Sequence, residues 1–323
     1  MSFTVKIDRG ISLPDCGLWF DAGRRQELAV VTHAHSDHAG WHRETILTAA
    51  TAALMSSRLG APGGAVRAVE YHQPIVVRDQ RITLLPAGHV LGSAQVFLEA
   101  GNESLLYTGD FKLRPGLTCE PAVTVPADTL ILETTFGLPR YRLPPAEETF
   151  ADLLAFCRKA LDDGCHAVLL VYSLGKAQEL LARLGGSNLP IAVHPAVHRM
   201  CRIYESLGVR FPDFEEHAGD SGPPGVLIYP PNARTRLAGL ASARTAVVTG
   251  WALDPSAKYR YRCDAAFPLS DHADYAELLE CVDRVNPKRV YTVHGFVEEF
   301  AADLRCRGLE AWALGGGNQL ELF

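Results

Sequence analysis

Directly after the apolar run Leu28-Ala29-Val30-Val31 the chain reads Thr32-His33-Ala34-His35-Ser36-Asp37-His38. Three imidazoles and one carboxylate stand within six residues at the carboxyl end of an expected strand. Such groups converge only if their loop wraps around something positive. Imidazole nitrogen and carboxylate oxygen without thiolate suit zinc, and also manganese or iron. The alternative is a solvated polar loop.

One loop cannot complete two coordination shells, so further ligands have to come from elsewhere in the chain. His89 follows the run Ile82–Leu85 within Ala87-Gly88-His89, Asp110 follows Ser104–Tyr107 within Thr108-Gly109-Asp110, and His294 ends Arg289–Val293 just before Gly295. Singly, each reads as a cap or a core residue. Together with the first loop they make five histidines and two aspartates at strand ends, each new one beside a glycine that lets backbone crowd a site.

The rhythm of the chain sets its organisation. Up to the loop 138–145, short apolar runs flanked by turn residues read as strands, with a helix at 49–59 stopped by Gly60. From there strands alternate with helices expected at 175–185, 195–207 and 233–241, the pattern of βαβ units around a parallel sheet. Helices 274–285 and 296–307 and a last strand near Trp312 close the chain. The expectation is a β-rich domain split by an α/β insertion: 1–145, then 146–264, then 265–323. A hydrophobic share of 47% excludes wholesale disorder. With 31 basic against 37 acidic residues, the net charge of −6 excludes nucleic-acid coating through bulk basicity. It leaves room for a nuclease, because bound cations and one local basic groove suffice to hold a phosphodiester. Eight cysteines without a C-x-x-C pair read as thiols of a reducing compartment. No apolar leader or 18-residue apolar stretch is present, so the expectation is a cytoplasmic protein with no membrane partner.

The motif order HxHxDH, His, Asp, His resembles the metallo-β-lactamase fold along the whole chain. More narrowly the chain resembles the β-CASP nucleases: Glu133-Thr134 matches their acidic motif, and Ser270-Asp271-His272-Ala273-Asp274 and Val293-His294-Gly295 match their two returning motifs. The phrases AGHVLGSAQ, ETTFGLPRYRLP, YSLGKAQEL and FPLSDHADY are similar to bacterial ligase-associated DNA exonucleases. The resemblance implies an αββα sandwich carrying an inserted β-CASP cap. It implies two divalent ions, zinc foremost and manganese as the alternative: one on His33, His35 and His89, the other on Asp37, His38 and His294, with Asp110 bridging. It implies a DNA exonuclease acting on single strands or ends, in end processing or repair, with a DNA ligase or helicase as partner. The alternative is an RNA-processing β-CASP nuclease, since a histidine in the last motif is typical of those members. A small-molecule metallo-hydrolase of this fold would leave the insertion and the His272 motif without a purpose.

The leaving oxygen of a cleaved phosphodiester needs a proton. His272 is the candidate donor, with Glu133 orienting and charging its ring; a structural hydrogen bond or a passive phosphate contact is the alternative. Asp37 and Asp110 complete the catalytic set. Asp21 either orients a ligand histidine or forms a turn. Ser173, Gly175 and Lys176 stand where a strand meets a helix start and suit a substrate phosphate; a plain Ser173 cap and a solvated lysine are the alternative. The clusters Arg140/Tyr141/Arg142 and Lys258–Arg262 either line a strand channel or belong to ordinary surface. His42, His72, His166, His194, His198 and His217 lack ligand spacing and read as structural or solvent-facing.

Overall fold

The protein is described by a computed structural model covering residues 3–217, 219, 222–237, 239–240 and 242–315. Two compact units emerge, one made of the residues up to Tyr141 together with those from His272 onward, the other of Arg142–Asp271.

The first unit holds two sheets. One runs in sequence order through Lys6–Ile7, Ile11–Leu13, Leu18–Phe20, Leu28–Val30, Glu44–Leu47 and Ala65–Ala68, antiparallel at its start and parallel from Leu18–Phe20 on. The other is ordered Glu310–Ala313, Arg289–Gly295, Thr129–Thr134, Glu103–Tyr107, Ala94–Ala100, Gln80–Pro86, Ile75–Val77. Successive side chains of a strand face opposite ways, and the two-residue period sorts them. Leu105 and Tyr107 join Phe20, Val30, Ile46, Val96 and Ile131 in the core shared by the two sheets. Leu106, Leu130 and Leu132 face the other way, onto Leu278, Cys281 and Val282 of helix Tyr275–Val285 and Phe300 and Leu304 of helix Val297–Cys306. Helix Ala49–Leu59 starts at Thr48, whose hydroxyl accepts the Thr51 N–H, and ends at Gly60 in the left-handed region (φ 83°).

The second unit is built on one sheet, ordered Glu215–Glu216, Ile191–Val193, Val226–Tyr229, His166–Leu170, Ala243–Val248, Ala265–Phe267, with every pairing parallel. Its inner strands are buried on both faces and so read as unbroken apolar runs. Ala167 and Leu169 pack with helices Ala146–Asp162, Lys176–Arg183 and Pro195–Ser206, while Val168 and Leu170 face Ala233 and Leu237.

The insertion therefore closes later than the expected 264, because the short strand Ala265–Phe267 pairs with Ala243–Val248 and belongs to its sheet. Where a helix was expected at 233–241, Pro231–Leu237 winds as a 3-10 turn, the Ala233 N–H bonding to Pro230 O at 2.9 Å; positions 238 and 241 lie outside the described residues. Strand Ala65–Ala68 is exposed at every residue and offered no alternation to read. Among the described residues no helix is long and apolar enough to cross a membrane.

Candidate metal centre

The expected donors all lie in the first unit, on loops at strand ends. Strand Leu28–Val30 leads into His33–His38, Gln80–Pro86 into His89 and Glu103–Tyr107 into Asp110, while His294 sits near the end of Arg289–Gly295. Close approach is bought with glycine at Gly109 (φ +53°), where an added Cβ would stand 2.9 Å from Thr32 Cβ. His294 itself is left-handed (φ 58°), a strained conformation for a histidine and one that recurs at functional sites. The His89 loop is pinned by Ser93, whose hydroxyl accepts the N–H of His89 and of Val90, each at 3.2 Å.

These elements aim several ring nitrogens at one oxygen. Asp110 Oδ2 lies 3.4 Å from His38 Nε2, 3.5 Å from His33 Nε2 and 3.8 Å from His89 Nε2. His35 Nδ1 is 3.0 Å from His89 Nε2, and donor atoms of His33, His35, His89 and Asp110 all fall within 4.8 Å of one another. On the other side of His38, Asp37 Oδ2 stands 3.7 Å from Nε2 and the His294 ring centroid 5.1 Å from its own.

The hydrogen bonds behind the rings fix their tautomers. Asp21 Oδ1 accepts the Thr32 N–H (2.7 Å); its Oδ2 accepts the hydroxyls of Thr32 (2.7 Å) and Tyr107 (2.9 Å) and takes His38 Nδ1–H (2.9 Å). Since the Thr32 proton goes to Asp21, Thr32 Oγ1 accepts from His33 Nδ1, 3.0 Å away. That leaves His33 Nε2 as a bare lone pair, fully enclosed and without a hydrogen-bond partner, facing the Asp110 oxygen. Two acceptors set against each other in a buried site repel unless a cation stands between them. Burial and the surrounding imidazoles hold His33 well below the usual histidine range, in the neutral form a metal needs. His38 is pulled down by burial, but Asp110, Asp21 and Asp37 outweigh this and raise it to about 10, because three carboxylates favour positive charge at that point. The donor set fits a divalent cation.

Beside this cluster Glu133, fully buried in strand Thr129–Thr134, accepts the N–H of Phe111 (3.0 Å) and of Thr135 (3.4 Å). His272 Nδ1 lies 3.0 and 3.2 Å from its two oxygens and 4.0 Å from Asp110 Oδ2. Burial pushes Glu133 up, but the His272 ring and the hydrogen bonds outweigh it and keep the carboxyl below its usual value.

Residues 259–311 match the family described as Zn-dependent metallo-hydrolase RNA specificity domain. The whole chain is 49% identical, over 330 aligned residues, to a protein of Opitutus terrae named probable DNA ligase, of which it covers 32%. It is 28% identical to the 5′ exonuclease Apollo of Gallus gallus, over 82% of this chain and 58% of that protein. It is also 28% identical to an RNase J-like protein of Methanocaldococcus jannaschii, over 55% of this chain and 49% of that one. The chain belongs to the β-CASP branch of the metallo-β-lactamase fold. It spans less than two thirds of the length of each of these relatives. A solved structure of a protein of unknown function from Enterococcus faecalis V583 shares the fold, with a TM-score of 0.57 at 11% identity over 82% of this chain and 74% of that one.

In this β-CASP protein the second unit is the inserted cap. There the helix Lys176–Arg183 is capped by Gly175 rather than Ser173, and the Gly175 N–H is already taken by Gln178 Oε1 at 2.7 Å. Lys176 is buried, its Nζ 3.0 Å from Asp271 Oδ1 and 5.4 Å from the Tyr172 ring. Two of the three expected phosphate contacts, Gly175 and Lys176, thus carry protein partners of their own. Arg140 stacks over Tyr141 and Phe296 in the first unit, and in the cap Arg260 pairs with Asp254 at 2.9 Å while Lys258 covers the exposed Tyr259. His42, His166, His194, His198 and His217 hold backbone or side-chain partners outside the cluster. Two groups at the site escaped the sequence reading: Tyr107, whose inward position follows from the strand period, and Arg114, which carries no local signal.

Proposed function

We propose that this chain is a two-metal phosphodiesterase of nucleic acid, and more narrowly an exonuclease that trims DNA ends in repair. The carrying observation is the single oxygen of Asp110 ringed by three Nε2 atoms, with the Glu133–His272 pair alongside. His33, His35 and His89 would hold one divalent ion; Asp37, His38 and His294 would hold the other; Asp110 would serve both, and zinc suits the all-nitrogen-and-oxygen set. Bound there, the ions supply Lewis acidity toward a phosphoryl group and toward water.

The chain's own part is positioning and proton transfer. Asp21 and Thr32 orient His38 and His33 so that their lone pairs face inward. Glu133 holds the protonated His272 ring by Nδ1–H, leaving the Nε2 proton to pass to the departing oxygen as water's oxygen bonds to phosphorus, gives up one proton to solvent, and the old P–O bond breaks; a solvent proton then restores the ring.

Support for DNA comes from a relative named for DNA ligation that matches along the whole chain and one named a 5′ exonuclease that matches 82% of it, whereas the RNase J-like relative matches 55%. The first of these also supports a DNA ligase as partner. The second reading, RNA processing, is favoured by the match of residues 259–311 to an RNA specificity domain. Matched single-stranded DNA and RNA of one sequence, linear and circular, incubated with and without chelator, test both. Chelator-sensitive release of nucleotides from linear DNA is expected; preferential cutting of circular RNA would overturn the DNA exonuclease reading.

A further inference from the structure

Four residues beyond Asp110 the chain makes a junction that the chemistry above does not explain. The Arg114 N–H donates to Glu277 Oε1 at 2.5 Å. Its guanidinium places one nitrogen 2.5 Å from Glu277 Oε2 and 3.4 Å from Asp274 Oδ2, and donates from the other to the backbone oxygen of His272 at 3.0 Å. Asp274 and Glu277 are both buried and already engaged as the capping box of helix Tyr275–Val285: Asp274 Oδ1 accepts the N–H of Ala276 and Glu277, and Glu277 Oε2 accepts the N–H of Asp274 at 3.1 Å. The next peptide is held from the same loop, because the Ala273 N–H donates to Phe111 O at 2.6 Å while the Phe111 N–H donates to Glu133. Segment 110–114 thus touches Asp110's own cluster, the carboxylate behind His272, and the main chain on which His272 is mounted.

A helix cap alone would need only a charge near Asp274 and Glu277, which a lysine could supply. The third contact needs a planar fork that reaches two carboxylates and a carbonyl at once, a geometry available to arginine and not to a point-charge ammonium. We propose that Arg114 is the positioning residue for His272, locking its main chain so that the ring meets Glu133 and the departing oxygen. This rests on the reading of His272 as proton donor. A displacement of about 1 Å at a catalytic group costs on the order of 10²-fold in rate.

The test compares Arg114→Met, Arg114→Lys and His272→Ala on single-stranded DNA with a natural oxygen leaving group and on the same strand with a bridging sulfur, which needs little protonation. Metal content, KM and the 15N-detected hydrogen bond of the His272 ring to Glu133 are read in parallel. Arg114→Met is expected to lose about 10- to 100-fold in kcat on oxygen and within about 3-fold on sulfur, with metal content and KM kept and the ring signal weakened; Arg114→Lys should fall between it and wild type. An equal loss on both substrates, or an unaltered ring signal with full activity, overturns the proposal. Should Arg114→Met not fold, Arg114→Lys decides by the same criteria. Sulfur failing to restore His272→Ala would instead sink the donor role of His272, and Arg114's role with it. If wild type cuts no nucleic acid, the functional reading has failed on its own, and the ring signal still judges Arg114: unchanged in Arg114→Met, it refutes the contact.

Discussion

Replacing Asp21 by Asn isolates the lattice behind the metal donors. Asp21 is left-handed (φ 46°), a conformation Asn also accepts, so the backbone is spared. Oδ1 keeps its bond to the Thr32 N–H, but at Oδ2 an NH2 group now meets three donors: the Thr32 hydroxyl, the Tyr107 hydroxyl and His38 Nδ1–H. The hydroxyls can rotate and accept. The ring cannot, unless it gives up the Nδ1 proton and keeps the one on Nε2, beside Asp110 Oδ2 at 3.4 Å. That escape exists only without metal. The metal-free variant should therefore lose only about 1–2 kcal/mol of stability, the cost of one imperfectly met buried group. The loaded protein must keep the proton on Nδ1 against an amide donor, and losing such an outer partner costs about 10- to 100-fold in metal affinity, or about 1.4–2.7 kcal/mol. Competition against a chromophoric chelator measures the affinity, and denaturant melts of metal-free protein measure the stability. An affinity within about 3-fold of wild type would refute the reasoning and return Asp21 to a turn-forming role.

Exhaustive chelation of wild type should lower its stability by about 4 kcal/mol for each ion, about 8 kcal/mol for two, relative to protein with metal held at a thousandfold each dissociation constant, read as a fall in melting temperature; no change would mean the cluster carries no bound cation. Gly109→Ala combines a left-handed backbone with a Cβ at 2.9 Å from Thr32 and should cost about 2–4 kcal/mol together with metal retention, checked by melting and metal analysis; normal metal content would show that Thr32 and Asp110 tolerate separation. Burial pushes the thiols of Cys157 and Cys281 up to about 12 and that of Cys201 up to about 11, so at pH 8 they remain protonated and unreactive. A thiol reagent should label the exposed Cys306 first, reach the partly exposed Cys119, Cys165 and Cys263 slowly, and meet Cys16, Cys157, Cys201 and Cys281 only on unfolding; early labelling of Cys281 would contradict its packing under strand Thr129–Thr134.

The clustering of the histidines and aspartates was legible because each signals locally: an apolar run, a glycine, then a titratable side chain. The insertion was legible for the same kind of reason, since a parallel sheet writes itself as apolar strands between amphipathic helices. Partnership was not. Asp21 read equally well as a turn former, and only the fold brings it to His38 and Tyr107, the latter 86 residues away. Lys176 sits in a phrase with the look of a phosphate cradle, yet Asp271 reaches its ammonium from the far end of the same unit. Arg114 meets its partners across 158 and 163 residues, a separation no local pattern encodes. The boundary near 264 slipped because a three-residue strand such as Ala265–Phe267 is too short to show a period.

One device is used twice in this site with opposite results. In both cases a buried carboxylate takes the Nδ1 proton of a histidine: Asp21 from His38 and Glu133 from His272. Asp21 draws its ring so that Nε2 stands 3.4 Å from Asp110 Oδ2, inside the cluster, where the proposed reading uses it as a metal ligand. Glu133 also accepts two backbone N–H groups, which spread its charge and fix it in strand Thr129–Thr134, and it holds His272 with Nδ1 itself as the atom nearest Asp110, at 4.0 Å. On the proposed reading, the protonated His272 ring, held there by Nδ1, gives its Nε2 proton to the departing oxygen. On the same reading, ligand and acid differ in which ring nitrogen lies nearest Asp110, Nε2 of His38 and Nδ1 of His272, and the loop from Asp110 to Arg114, bonded to Glu133 through Phe111 and to the His272 carbonyl through Arg114, holds the second of these in place.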